Sequence, residues 1–95
     1  MAQPAGHRDA YRRRFRRVRR AFVTEDPAFL IEAGGRTDEY DAIVRRMLGL
    51  IDADRGAEIP ALLPAELEER FGIVPAPDRL ARLLGELARI EPYRA

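Results

Sequence analysis

Residues 26–41 read Asp26-Pro27-Ala28-Phe29-Leu30-Ile31-Glu32-Ala33-Gly34-Gly35-Arg36-Thr37-Asp38-Glu39-Tyr40-Asp41. Asp26 is a favourable helix N-cap and Pro27 suits a first helical position, so the segment predicts a brief turn of helix. The two glycines adopt left-handed conformations readily and would end that turn. Thr37 or Asp38 would then cap a new helix whose first turn is acidic. The segment therefore predicts how an arginine-rich first helix connects to an apolar second one.

The same segment resembles a known family. Its features are the Asp-Pro pair at 26–27, the aliphatic pair Leu30 and Ile31, the loop at Gly34 and the Asp-Glu-Tyr-Asp sequence at 38–41. In this order they resemble the YugE-like family of small bacterial four-helix proteins. The likeness covers residues 11–90 when the order of helices is counted. It implies an all-helical fold and no established activity, because the family is classed as a domain of unknown function.

Four segments place apolar residues at the three- and four-residue spacings of amphipathic helices. The first follows a predicted mobile tail, residues 1–7, and a single helical domain would occupy residues 8–95. The four apolar faces are Tyr11, Phe15, Val18 and Phe22; Tyr40, Ile43, Val44, Met47, Leu48 and Ile51; Ile59, Leu63, Leu67 and Phe71; and Leu80, Leu83, Leu84, Leu87 and Ile90. We expect an all-α fold, a small four-helix bundle with an additional short helical turn after helix 1.

Pro64 lies inside the third of these segments. Proline removes one backbone hydrogen bond and crowds the carbonyl four residues earlier, so we expect a kink near Leu63 or a division into two short helices. Gly72 has the position typical of a left-handed glycine that ends a helix. Pro77 or Asp78 would begin the fourth helix.

The side chains that most enzymes use are nearly missing from the chain. It contains no Ser, Lys, Asn, Cys or Trp and one His, His7. Nucleophilic catalysis uses Ser, Cys or Lys beside a base, and proton transfer near neutral pH most often uses His. We therefore expect a protein that is not an enzyme and that uses no cofactor and no metal. We also expect a cytoplasmic protein, because no apolar run approaches the ~20 residues that cross a bilayer and the first residues lack an apolar signal core.

The formal net charge of +1 hides a strong asymmetry along the chain. Residues 1–24 hold eight arginines and one acid, whereas the remainder holds nine arginines and fifteen acids. On a helix, most arginines of the first segment fan over about half the circumference, opposite Phe15 and Phe22. The candidate residues for contact with a polyanion or a partner are Arg12, Arg13, Arg16, Arg17, Arg19 and Arg20.

Three interpretations of these arginines remain open. The guanidinium groups could pair with acids of residues 25–95, line up along the phosphates of a nucleic acid or another polyanion, or meet an acidic protein partner. No aromatic residue lies among the arginines on that face to stack a base, and the chain has no Asn to recognise adenine. Binding to nucleic acid would therefore be largely independent of sequence.

An acidic turn is the second candidate surface, and its residues are Asp26, Asp38, Glu39 and Asp41. Capping explains the turn if Asp38 is the N-cap and Asp41 lies in the first helical turn. The same carboxylates could instead contact a protein or, less simply, bind a cation through oxygen ligands. Tyr40 is expected at the edge of the core, with its hydroxyl reaching a carboxylate.

These patterns predict a non-catalytic helical protein-interaction module. Its basic and acidic surfaces could join copies of the chain head to tail or as a dimer, and by analogy an immunity-protein or antitoxin role also fits such a partner. The alternative function is a polyanion-binding or nucleic-acid-binding accessory protein that uses the arginine-rich first helix.

Overall fold

The computed structural model describes the backbone of residues 5–94 and the side chains of residues 8–94. Its elements, in chain order, are α1 (Ala5–Glu25), α2 (Asp41–Asp52), a short 3-10 turn (Gly56–Glu58), α3 (Ile59–Phe71) and α4 (Pro77–Ala88). The described residues contain no strand, and the predicted all-α fold is confirmed. Helix α1 begins at Ala5, inside the predicted tail 1–7, and the first four residues of that tail lie outside the described part.

The four helices form a bundle in which α1 packs on α2 and α4, and α3 packs on the same two helices. Their apolar faces meet in one core. Its fully enclosed residues include Val18, Phe22, Ile43, Val44, Met47, Leu48, Leu63, Leu67 and Leu83. This burial is the main stabilising contribution available to a chain of this size. Of the helices in the described part, none combines the length and the apolar character needed to cross a membrane.

Helix α3 runs without interruption through Pro64, so a division into two short helices is wrong. Pro64 lies in the second turn of the helix, and the hydrogen bond that it removes would end on the carbonyl of Pro60. Pro60 is exposed in the first turn, where water can replace the missing donor. Gly72 ends the helix in the left-handed conformation, at φ 67°, and its N–H donates to the carbonyl of Glu68, as its position predicted.

Asp26 ends a helix instead of beginning one. Its φ is 49°, in the left-handed region, and its N–H donates to the carbonyl of Phe22 at 2.7 Å, which closes the last turn of α1. Asp tolerates this conformation better than most residues do. The predicted short helical turn is reduced to consecutive turns over residues 27–34, with one helix-type bond from the N–H of Ala33 to the carbonyl of Phe29.

Helix α2 also begins later than predicted. Its N-cap is Tyr40, which makes no side-chain capping bond, and residues 37–40 form turns before it. Asp38 is therefore not the N-cap. Instead its carbonyl accepts a hydrogen bond from the N–H of Asp41, and its exposed carboxylate lies 3.5 Å from Nε of Arg36. The apolar face of α2 is buried as its spacing predicted, and Leu50 is buried as well.

Candidate functional site

Helix α1 has one face in the core and one face in water. Val18, Ala21 and Phe22 are buried, Phe15 is half-buried, and the opposite face is made mainly of arginine side chains, with Asp9 near its N-terminal end. Six of these arginines are exposed and have no acid within 4.0 Å in the described part of the chain. We call them the free arginine face: Arg8, Arg12, Arg13, Arg16, Arg17 and Arg20.

Two other arginines of α1 do pair within the chain. Arg19 donates a hydrogen bond to each carboxylate oxygen of Asp41. Its Nε donates to Oδ1 at 2.9 Å and its Nη2 donates to Oδ2 at 2.6 Å. These hydrogen bonds raise the pKa of Arg19 above its ordinary value. Arg14 pairs with Asp52 at the end of α2. Arg19 was predicted to contact a partner, but the structure commits it to Asp41, a side chain of the predicted acidic turn.

Most of the acids that form ion pairs in the described part of the chain pair with arginines outside α1. Ion pairs join Arg36 to Asp38, Arg46 to Glu66, Arg55 to Glu58, Arg79 to Asp26 and Glu32, and Arg82 to Glu25 and Asp78. Among the described residues, the interpretation in which the chain's own acids neutralise the first helix therefore accounts for Arg14 and Arg19 only. The remaining positive charge of α1 faces solvent.

Asp26 is the centre of a buried polar cluster. Its Oδ1 accepts hydrogen bonds from the hydroxyl of Tyr40 at 2.6 Å and from the N–H of Ile31 at 3.0 Å, and its Oδ2 accepts from the N–H of Glu32 at 2.9 Å. The Tyr40 hydroxyl in turn accepts the N–H of Ala28 at 3.1 Å. Tyr40 is fully buried, and the prediction that its hydroxyl reaches a carboxylate is confirmed. The cluster ties the end of α1 to the start of α2.

The cluster has the electrostatics of a structural site. Burial would raise the pKa of Asp26, but the hydrogen bonds from Tyr40 and the backbone outweigh it and lower that pKa. Burial and the bond to Asp26 raise the pKa of Tyr40. Asp26 is thus a weaker base and Tyr40 a weaker acid than usual, which is the opposite of what proton transfer near neutral pH requires.

Arg79 of α4 closes this cluster from outside. Its Nη1 lies 3.7 Å from Oδ2 of Asp26 and donates to the Asp26 carbonyl at 3.2 Å, while its Nη2 lies 3.1 Å from Glu32. Its guanidinium carbon sits 4.2 Å from the centroid of the Phe29 ring. A cation over an aromatic face is a favourable contact. Phe29 itself has a left-handed backbone conformation, at φ 60°.

The predicted acidic turn is therefore not one surface. Asp26 is buried and its carboxylate is occupied, and Asp41 is paired with Arg19, so both are removed from the predicted contact surface. Asp38 and Glu39 remain exposed. No group of three or more His, Cys, Asp or Glu residues that could hold a metal ion occurs among the residues described.

A groove at the α1–α2 junction was missed by the sequence analysis. It has a volume of ≈ 460 Å³ and is lined by Tyr11, Arg12, Phe15, Arg16, Arg19 and Arg45. Tyr11 and Phe15 lie one helical turn apart, and that spacing was visible in the sequence as part of the apolar face. The signal that was missing is tertiary, because Arg45 reaches the groove from α2.

A second, apolar cleft of ≈ 370 Å³ lies where the end of α4 meets the short 3-10 turn. Its lining includes Ile51, Ile59, Leu84, Leu87, Ile90 and Pro92. Asp54 is the one titratable residue in this lining. The cleft can therefore make apolar contacts with a partner but has no pair of groups for proton transfer.

Comparisons of the chain with protein-family models, with curated proteins and with solved structures found no match.

Proposed function

We propose that this protein is a non-catalytic module that binds nucleic acid through the free arginine face of α1, without reading the sequence. The observation that supports this proposal is that, among residues 8–94, no carboxylate lies within 4.0 Å of the guanidinium groups of Arg8, Arg12, Arg13, Arg16, Arg17 and Arg20, although Asp9 follows Arg8 in the sequence. Like charges three and four residues apart oppose a helix by about 0.2–0.5 kcal/mol per pair. Phosphates would relieve that repulsion.

The shape of the face suits a phosphate backbone better than a protein. From Arg8 to Arg20 a helix rises about 18 Å, a length that holds about five phosphates of one strand of a duplex. The centre of a protein interface is usually depleted of charge and contains aromatic or aliphatic side chains. In the middle of this face Arg13, Arg16 and Arg17 are all exposed.

The absence of catalysis is part of the proposal. The chain has no Ser, Lys or Cys, and its one His lies outside the described side chains. Asp26 and Tyr40 are buried. The pKa of Asp26 is lowered and that of Tyr40 is raised, so both lie further from neutral pH than usual. The exposed arginines of α1 are therefore suited to binding a negatively charged partner.

The test is a fluorescence-anisotropy titration of the full chain with labelled duplex DNA at about 50 mM and about 200 mM salt. We expect affinity to fall steeply with salt. Replacing Arg13, Arg17 and Arg20 by Gln should reduce the slope of log affinity against log salt by roughly 2 to 3, since each phosphate contact contributes about 0.9.

The matched control removes the same charge elsewhere. Arg70, Arg89 and Arg94 are exposed and lie outside α1, so their replacement by Gln should leave the slope nearly unchanged. Equal losses in both triple variants would mean that only net charge matters. No binding at low salt would end the proposal.

Contact with another protein chain is the second candidate function, and the apolar cleft at the end of α4 favours it. A partner side chain could bury apolar surface there at about 25 cal/mol per Å². Association of copies head to tail is less well supported, since Asp26 and Asp41 do not present the predicted acidic surface. Light scattering after gel filtration over a range of concentrations tests self-association directly.

We also propose a family relationship and a cellular location. The four-helix architecture is compatible with the resemblance to the YugE-like family, which supplies no activity. A cytoplasmic location suits a nucleic-acid-binding module, and cell fractionation with an antibody to the native chain would test it.

A further inference from the structure

The groove between α1 and α2 combines exposed aromatic surface with positive charge. Tyr11 is 44% exposed, and its ring centroid lies 6.2 Å from that of Phe15, with an angle of 37° between the rings. The Phe15 ring has Arg19 at 5.3 Å and Arg45 at 5.8 Å from its centroid. The sequence predicted that no aromatic ring lies among the arginines. The structure instead places the rings of Tyr11 and Phe15 at the edge of the arginine surface.

The guanidinium groups around the groove differ in availability. Arg19 is committed to Asp41, whereas Arg12, Arg16 and Arg45 are exposed and have no acid within 4.0 Å among the described residues. Arg12 and Arg16 belong to the free arginine face, so the groove is continuous with it. A strand lying along that face would pass the Tyr11 ring.

We propose that this groove holds an unstacked base of single-stranded nucleic acid, with Tyr11 as the stacking platform and Arg12, Arg16 and Arg45 on the neighbouring phosphates. Proteins that bind single strands combine a positive groove with aromatic side chains on which bases stack. The groove is shallow and open to solvent, so a strand can pass over it. This inference rests on the proposed function and adds a preference for single strands over duplex.

A duplex cannot use Tyr11 in the same way. Its bases are stacked on one another inside the helix, and exposing one costs a few kcal/mol. A single strand presents bases already free to stack. The full chain should therefore bind oligothymidylate more tightly than a duplex of equal length at the same salt concentration.

The decisive comparison uses a thymidine strand and an abasic strand with the same number of phosphates. We expect the native chain to prefer the thymidine strand roughly tenfold, the effect of about one stacked base. In Tyr11→Ala that preference should fall close to one, and Tyr11→Phe should restore it, since stacking needs the ring and not the hydroxyl. Quenching of tyrosine fluorescence by the thymidine strand should be reduced in Tyr11→Phe.

The outcomes separate this inference from the proposed function. Equal binding of thymidine, abasic and duplex forms by the native chain would overturn the stacking site and leave the arginine face in place. No binding of any form would overturn both. A uridine strand distinguishes RNA from DNA as the source of the base, and a preference for either supports the inference. Binding of an acidic peptide in place of every strand would contradict it.

Discussion

The hydroxyl of Tyr40 donates a 2.6 Å hydrogen bond to the carboxylate of Asp26, fourteen residues earlier, and both side chains are buried. The Tyr40 ring also contacts the core, with the Phe22 centroid at 5.6 Å and the Phe71 centroid at 5.7 Å. One side chain thus joins the polar end of α1 to the apolar centre of the bundle. The connection between α1 and α2 depends on it.

Tyr40→Phe should destabilise the protein by about 1–3 kcal/mol, because it leaves the buried N–H of Ala28 without its acceptor and removes one donor from Asp26. Urea unfolding followed by circular dichroism measures this difference. The control is Tyr11→Phe, which removes the hydroxyl of an exposed tyrosine and should change stability by less than about 0.5 kcal/mol. Equal effects of the two substitutions would contradict the structural role of the cluster.

The Asp26 carboxylate should make stability depend on acid pH. Its pKa in the folded chain lies below the ordinary value of 3.8. The ionised form is therefore favoured by folding, and its stabilisation is fully present above 3.8 and lost as pH falls through the lower folded pKa. Unfolding free energies of the native chain and of Asp26→Asn, measured from pH about 7 to about 2, should converge below 3.8. A constant difference over that range would show that ionisation of Asp26 does not matter.

How far the sequence predicts this structure depends on the range of the interaction. The apolar spacing of α2 and α4 and the left-handed Gly72 are local features, and they were predicted correctly. The prediction that Asp26 begins a helix was wrong. Asp is favourable both as an N-cap and in the left-handed conformation, and local sequence does not choose between the two. The choice depends on the hydrogen bond from Tyr40, fourteen residues away. Pairing of arginines with acids is likewise a tertiary property.

The same limit applies to the candidate site. The six exposed arginines of α1 follow from helical spacing, but the absence of an acid within 4.0 Å of them in the described part of the chain does not. It follows from where the fold places the acids: Asp41 and Asp52 of α2 lie beside Arg19 and Arg14, while other acids, such as Glu66 beside Arg46, lie next to arginines outside α1. The aromatic groove requires Arg45 from a second helix, and so no pattern within α1 predicts it.

Two glycine-to-alanine substitutions should have opposite effects. A Cβ on Gly35 would lie 2.5 Å from the carbonyl oxygen of Leu30, which already accepts the N–H of Gly35 at 2.7 Å. Gly35→Ala should therefore destabilise by more than about 1 kcal/mol. Gly85 lies inside α4, is exposed, and would meet nothing within 4 Å. Gly85→Ala should stabilise by about 0.5–1 kcal/mol, the difference in helix propensity. Thermal unfolding of both variants tests the turn geometry, and a stabilising Gly35→Ala would refute it.

Arg17→Glu should stabilise the folded protein while it weakens nucleic-acid binding. Arg17 stands three or four residues from Arg13, Arg14 and Arg20, and each such like-charge pair costs about 0.2–0.5 kcal/mol. Removing these three repulsions should by itself add about 0.6–1.5 kcal/mol of stability in urea unfolding at low salt. The gain should shrink in concentrated salt, which screens exposed charges.

Arg19→Glu is the matched control for that prediction, since it makes the same charge change two residues further along α1. It breaks the two hydrogen bonds to Asp41 and sets a second carboxylate near it, so we expect destabilisation where Arg17→Glu stabilises. If both variants lost stability, the exposed arginines would have intrachain partners after all. If Arg17→Glu gained stability and also lost affinity for DNA, the positive charge of Arg17 would be shown to have two effects. It would destabilise α1 by repulsion and bind phosphate.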